Sequence, residues 1–228
     1  MRKIGFVGAY DKTDLILSVA RVLEQAEKKV LVVDNTIEQK CKYVVPVINP
    51  TVSYITEFDG IDVAVGFNSI TQIRQYLGLE NDEEFEYDIM IIDTDNYEGM
   101  EQFNLQSSEK LYYVTSFDIY SLKKGIQIIK QVDVPLHMTR IFYSKEMLKE
   151  EEEYFDYLAL GVKVIWNEEK IYFLLENGDQ SAIIENQRLE KIKFRNLSNE
   201  YKENIAFLVN DIDNEIGEKK IRNMIKNL

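Results

Sequence analysis

The chain of 228 residues contains one cysteine, one histidine, one tryptophan and three prolines. Each scarcity excludes something. Cys41 cannot close an internal disulfide and has no partner at metal-ligand spacing, which predicts a reducing compartment. His137, beside Pro135 and Leu136, lacks a second histidine or a nearby cysteine. It therefore reads as a structural or exposed residue at a loop-to-strand junction rather than a metal ligand. Nothing like a nucleophile elbow supports Ser-His-Asp chemistry. No apolar run approaches the ~20 residues of a membrane span. The basic-then-apolar start, Met1 to Gly8, stops at Asp11-Lys12, too short for the core of a signal peptide. The expectation is a cytoplasmic protein whose membrane contact, if any, is peripheral, at the inner face. Positive charge is also in short supply: 27 Lys and Arg face 40 Asp and Glu, a net charge of -13. A duplex carrying one negative charge per ~1.7 Å is repelled by such a surface, so nucleic acid is not an expected partner.

Hydrophobic content of 45% and charged content of 29% are those of a globular protein. The length allows one domain, 1–228, with a central sheet covered by helices on both faces. Ile4–Gly8 is a short apolar run ended by a polar loop. Leu15, Ile16, Val19, Val22 and Leu23 then recur at helical spacing from Thr13 to about Lys28. Val30–Val33 is a continuous apolar run closed by Asp34, as in a strand buried on both faces of a parallel sheet. Together they form a βαβ unit.

Thr36 to Gly66, with Pro46 and Pro50, reads as loops with short strands at Tyr54–Glu57 and Ile61–Val65. Ser69–Leu77 is helical, Glu80–Glu86 is an acidic connection, and Tyr87–Asp93 is the next buried strand. Lys110–Thr115 is a strand, Ile119–Gln131 a helix and Met138–Tyr143 a strand. Lys149–Glu153 is a charge run on a helix, Gly161–Trp166 a sixth strand closed by Trp166, and Ser198–Ile212 a helix. Alternating buried strands and helices define an α/β, doubly wound, mostly parallel sheet, in which ligands bind beyond the carboxyl ends of the strands.

Three strand ends carry polar groups of matching type. The first strand runs into Gly8-Ala9-Tyr10-Asp11-Lys12-Thr13, which opens a helix; the second ends in Asp34 and the third in Asp93-Thr94-Asp95. A nucleoside triphosphate site needs backbone N–H groups and a helix N-terminus facing phosphate, a lysine for charge, and a hydroxyl and carboxylate for Mg²⁺. The plainer reading of the loop is a helix cap, with Asp11 or Thr13 at the Ncap, worth ~1 kcal/mol.

The order of elements resembles the MinD/ParA family, whose phosphate loop is a lysine- and glycine-rich variant of the Walker A motif. The resemblance covers most of the chain. Asp11-Lys12-Thr13 falls where the family has Gly-Lys-Thr, Val30–Asp34 is similar to its second strand, and Tyr87–Asp93-Thr94 is similar to its Walker B strand. Tyr112 to Leu122 is similar to the strand and helix start that follow. The resemblance implies a P-loop NTPase fold that binds ATP and Mg²⁺, with Gly8, Lys12, Thr13, Asp34 and Asp93 at the nucleotide and Thr13 and Asp93 toward the metal. It implies no catalytic residue that this sequence can name. The family's base-reading asparagine has no match; Thr139-Arg140 stands in the corresponding region.

The departures bear on activity. The loop is shorter than the family's and keeps only Gly8, and Asp11 replaces the glycine before the lysine. A like charge at ~4 Å costs on the order of 4 kcal/mol at an effective dielectric of ~20. The expectation is therefore a non-catalytic or weakly catalytic switch or scaffold, a homodimer that localises a larger assembly through a protein partner. TadZ-like relatives, which position secretion or pilus machinery, lose similar loop residues. An active positioning or partitioning ATPase is the alternative. A receiver-like phosphoacceptor using Asp93, Thr115 and Lys145 is a further one. At the end of the chain, Ile221, Met224, Ile225 and Leu228 fall on one helical face beside Lys219, Lys220, Arg222 and Lys226. By the same resemblance this amphipathic helix, 218–228, docks on a membrane or partner; the plainer reading is a helix packed on the body.

Overall fold

The computed structural model describes residues 1–47, 52–80, 83–144, 146, 149–175 and 177–228, with Asn177 described in its backbone alone. Pro50 and Lys145 lie outside the described residues. In chain order the elements are β1 (Arg2–Val7), α1 (Thr13–Gln25), β2 (Val30–Asn35), α2 (Cys41–Val44), β3 (Tyr54–Phe58), β4 (Ile61–Val65), α3 (Ile70–Tyr76) and β5 (Ile89–Thr94). They continue with α4 (Tyr97–Gln102), β6 (Lys110–Ser116), α5 (Ile119–Ile129), β7 (Leu136–Ser144), α6 (Lys149–Leu158), β8 (Val164–Leu174), α7 (Asn177–Leu189), α8 (Asn199–Ile212) and α9 (Glu218–Asn227).

The eight strands form one sheet in the order β3-β4-β2-β5-β1-β6-β7-β8. Every neighbouring pair is parallel except β3 and β4. Those two form a hairpin whose two central residues, Asp59 and Gly60, take φ of 50° and 85°. That is the mirror-image turn whose twist matches the flanking strands.

The apolar runs of the inner strands divide by alternation. Val30 and Val32 of β2 face one side with Ile4, Phe6, Ile89 and Ile91, against α1, α8 and α9. Leu31 and Val33 face the other with Met90, Ile92 and Tyr113, against α3, α4, α5 and α6. Burial on both faces explains why these strands read as unbroken apolar runs. The doubly wound, mostly parallel architecture is the one the sequence implies.

Several boundaries differ from expectation. Trp166 does not close its strand: β8 continues to Leu174 through a bulge. Met138 pairs Trp166 and Arg140 pairs Lys170, so two extra residues sit on β8. The polar Asn167-Glu168-Glu169-Lys170 hides the strand's continuation in sequence. His137 lies exposed within β7, as its isolation suggested. The terminal helix α9 turns Ile221 and Ile225 into the core, with Met224 and Leu228 packed against it, and it contacts α8 and α1. Burying two such side chains contributes roughly 3–6 kcal/mol. No described helix is long and apolar enough to cross a membrane.

Candidate functional site

The parallel register brings the strand ends together. Asp34 of β2 stands directly beside Asp93 of β5, and Asp93 beside Phe6 of β1. The loop from Gly8 to Lys12 passes over this end of the sheet into α1.

Gly8 is fixed by a close approach. Its φ is +145°, and a Cβ there would lie 2.0 Å from the Val114 carbonyl oxygen of β6. Its N–H donates to the Thr94 carbonyl at 3.1 Å. Any side chain forces the loop off the sheet.

Lys12 is the N-cap residue of α1 but does not cap it with its side chain. The side chain folds back under the loop and is 2% exposed. Its Nζ donates to the Gly8 carbonyl at 2.7 Å and the Tyr10 carbonyl at 3.2 Å, and lies 2.8 Å from Asp93 Oδ1. Burial pushes the Asp93 carboxyl up to about 7, with Lys12 pulling it down and Asp34 pushing it further up.

Asp34 faces a different task. Its Oδ1 accepts from the Thr36 backbone N at 3.0 Å and from Thr36 Oγ1 at 2.6 Å, while Oδ2 accepts from the Cys41 N at 2.9 Å. It therefore holds the turn after β2 and the start of α2. Burial, then the nearby Asp34 and Asp93, raises the Cys41 thiol well above its ordinary value, which leaves it an unreactive core residue.

Thr13 opens α1 and is buried; its N–H donates to Asp11 Oδ1 at 3.0 Å. Neither Asp11 nor Thr13 is the Ncap residue expected from sequence: Lys12 holds that position without a side-chain cap, and Asp11, one residue earlier, accepts from the first helical amide. Asp11 also pairs with Lys40, whose Nζ lies 3.3 Å from Asp14 Oδ2 as well. Sequence reading did not single out Lys40. The signal for it is weak: one of two lysines, with Lys42, that follow Glu38 in the segment after a strand-end aspartate.

Asp11, Lys12, Thr13, Lys40 and Asp93 wall a cavity of about 390 Å³ with Tyr10, Thr36, Glu38, Tyr43 and Asp95, within the range of small-molecule pockets; Gly8 and Asp34 lie behind its wall. Asp95 is fixed at its rim, where Oδ1 accepts from the Ile37 N at 3.0 Å. Tyr10 stacks on Tyr143 with ring centroids 4.8 Å apart.

Gly8, Lys12, Thr13, Asp34 and Asp93 thus meet at one place. Thr139 and Arg140 do not join them. They sit in the middle of β7, where Thr139 Oγ1 accepts from Asn167 Nδ2 at 2.8 Å and Arg140 pairs with Asp156 at 3.2 Å. Thr115 is also apart from Asp93, because β1 lies between β5 and β6. The two strands stand about 9.6 Å apart, twice the strand spacing. A receiver places its corresponding strands side by side, so Asp93 and Thr115 are not in that arrangement; Lys145 lies outside the described residues. Among the described residues no cluster of His, Cys, Asp and Glu is set to hold a metal.

A triphosphate needs free amides at a helix start and an available ammonium. Here the Thr13 amide is taken by Asp11, and the Lys12 ammonium is turned inward onto Asp93. The cavity wall carries four carboxylates, Asp11, Glu38, Asp93 and Asp95, against Lys12 and Lys40. The residues as they stand do not fit that group.

No protein-family model and no curated protein matches the chain. Solved structures do. The chain is similar to a ParA family ATPase from Chlorobium tepidum, at 12% identity and a TM-score of 0.54, covering 99% of this chain and 97% of that one. MinD in the MinC:MinD complex of Aquifex aeolicus matches at 13% identity and 0.53, covering 100% and 95%. A protein described as a plasmid partition protein of Borrelia burgdorferi, bound to AMPPNP, matches at 12% identity and 0.54, covering 94% and 99%. The chain has the P-loop NTPase fold in its ParA/MinD form. At such identity the likeness is one of fold.

Proposed function

We propose that this chain, 1–228 as one domain, is a MinD/ParA-like switch or scaffold that organises or localises a larger assembly, with a degenerate nucleotide site and little or no catalysis. The observation that carries this reading is the condition of Lys12. Its ammonium is turned inward onto Asp93 and two loop carbonyls, so it is not free to meet a triphosphate. The excess of carboxylates in the cavity wall acts in the same direction.

By the family resemblance Gly8, Lys12, Thr13, Asp34 and Asp93 are the positions a nucleotide would meet, with Thr13 and Asp93 toward Mg²⁺; here they are turned to contacts within the protein. Work on assemblies is then done by contact. Ile37, Tyr43, Ile119 and Tyr120 are each more than half exposed, and all follow the carboxyl ends of strands. An apolar rim of this kind suits a homodimer or a protein partner at the ligand face. The MinC:MinD neighbour is itself a partner complex. A cytoplasmic place, TadZ-like service to secretion or pilus machinery, and reversible membrane contact through α9 are the further parts of the proposal. The last requires α9 to leave its seat.

An active positioning or partitioning ATPase is the second reading. It is favoured by the size and position of the cavity and by the AMPPNP-bound neighbour. Calorimetric titration with ATP and Mg²⁺, run on wild type and Lys12→Ala with phosphate release measured in parallel, separates the two. Weak or absent heat without phosphate release is expected. Turnover in the wild type that disappears in Lys12→Ala would establish the ATPase.

A further inference from the structure

Two donors converge on one carboxylate at the entrance to α1. Asp11 Oδ1 accepts from the Thr13 N–H at 3.0 Å, and Asp11 Oδ2 pairs with the Lys40 ammonium. A backbone amide at a helix start and an ammonium are the two kinds of donor that hold a phosphate oxygen. Here both are spent on a group belonging to the chain itself.

The pairing is braced from behind. Lys40 Nζ also lies 3.3 Å from Asp14 Oδ2, and Gln187 Nε2 of α7 donates to both Asp14 oxygens at 2.8 and 3.0 Å. Lys40 is the N-cap residue of α2, the helix whose Cys41 N–H is held by Asp34. Three segments, the loop, α2 and α7, therefore depend on the same few charges.

We propose that Asp11 is a built-in anion occupying the place of a phosphate at the start of α1, with Lys40 as its counter-charge, and that an external anion enters only when this pair opens. The inference rests on the reading of the site as degenerate and gives that reading a device. Burial pushes the Asp11 carboxyl up, but Lys40 and the Thr13 amide outweigh it and hold the group below its ordinary value, so it is charged at neutral pH. Opening the pair frees Lys40, and with it the start of α2 and the exposed Tyr43 next to the cavity. A plain helix cap would act differently: its removal weakens α1 and creates no affinity for anions.

The test uses the full chain and inorganic pyrophosphate as the probe, followed by calorimetry. Asp11→Ala is expected to bind pyrophosphate at least tenfold more tightly than wild type. Asp11→Asn, which keeps an acceptor for Thr13 but gives up the charge, is expected to fall between. The double variant Asp11→Ala/Lys40→Ala is expected to lose the gain. Equal affinity across wild type and both single variants, including no binding by any of them, would overturn the proposal. A gain that persists in the double variant would overturn the role of Lys40. Should Asp11→Ala fail to fold, Asp11→Asn decides by the same comparison. ATP turnover by wild type, measured on the same preparation, bears on the switch reading separately. It would refute that reading and leave the pyrophosphate ratio to decide the role of Asp11.

Discussion

Lys12 Nζ and Asp93 Oδ1 stand 2.8 Å apart, with both side chains at most 4% exposed. A pair so sealed tolerates the loss of one member poorly, because the other is left charged and dry. Asp93→Ala or Lys12→Ala is expected to cost about 3–5 kcal/mol in urea unfolding. The double variant Lys12→Ala/Asp93→Ala is expected to cost less than the sum of the single losses. Strict additivity would mean that the pair does not couple.

The same burial sets a pH dependence. Raised from 3.8 to about 7, the Asp93 carboxyl keeps in the fold a proton that the unfolded chain has already lost. The folded state then binds more protons across this window, so the contribution of Asp93 to stability falls as pH rises from ~4 to ~7, by up to ~4 kcal/mol, and levels off above. Asp93→Asn is expected to flatten that slope in melts taken at half-unit intervals. A wild-type stability that climbs through the same window on account of Asp93 would contradict the assignment.

Gly8 offers a backbone test. With φ at +145° and the Val114 carbonyl 2.0 Å from any Cβ, Gly8→Ala is expected to lose roughly 2–4 kcal/mol, since strain and collision add. Gly178, which has open space around it, serves as the control, and Gly178→Ala is expected to change stability by less than ~1 kcal/mol.

The terminal helix gives a prediction of opposite kind. Ile221→Ala and Ile225→Ala each remove a buried side chain from the α1–α8 face and are expected to cost about 2–5 kcal/mol. Liposome co-sedimentation of the chain with and without residues 218–228 is expected to give equal pelleting while α9 stays seated. Pelleting that depends on those residues would show that the helix leaves the body for the membrane.

The exposed rim can be tested by charge. Tyr43→Asp and Tyr120→Asp place carboxylates on positions that are 80% and 68% exposed, so folding is expected to be unaffected. Sedimentation is expected to report the loss of self-association, which an apolar contact cannot survive with a bare carboxylate in it. Unchanged association in both variants would move the interface elsewhere.

How much of this was legible beforehand follows the physics of each segment. Val30–Val33 and Ile89–Ile92 are buried on both faces, so their runs are unbroken and their terminal aspartates were easy to mark. The short α4 is started by Asn96, whose side chain accepts from the Gly99 N, and its helical character is too brief to leave a periodic pattern. Helix α7 has a mixed surface in which Ala182 is buried and Ile184 exposed, so the 3.6 period is blurred. The bulge of β8 buries little and looks like a loop. In the site itself, strand register places Asp34 beside Asp93, because β2 and β5 are parallel neighbours with aligned carboxyl ends; the strand order that makes them neighbours was not read from sequence. The inward turn of Lys12 and the reach of Lys40 across to Asp11 depend on tertiary packing, and no local pattern encodes either.

The bulged edge of β8 has a consequence for strand addition at that side of the sheet. An edge strand of eleven residues is ordinarily a template on which another chain adds its own strand. Here Asn204 Nδ2 donates to the Tyr172 carbonyl at 2.7 Å, and the extra residues between Trp166 and Lys170 break the ladder's rhythm while placing Glu168 and Glu169 outward. At this edge the ladder is a poor template for a further strand, and a companion arriving there meets side chains before backbone.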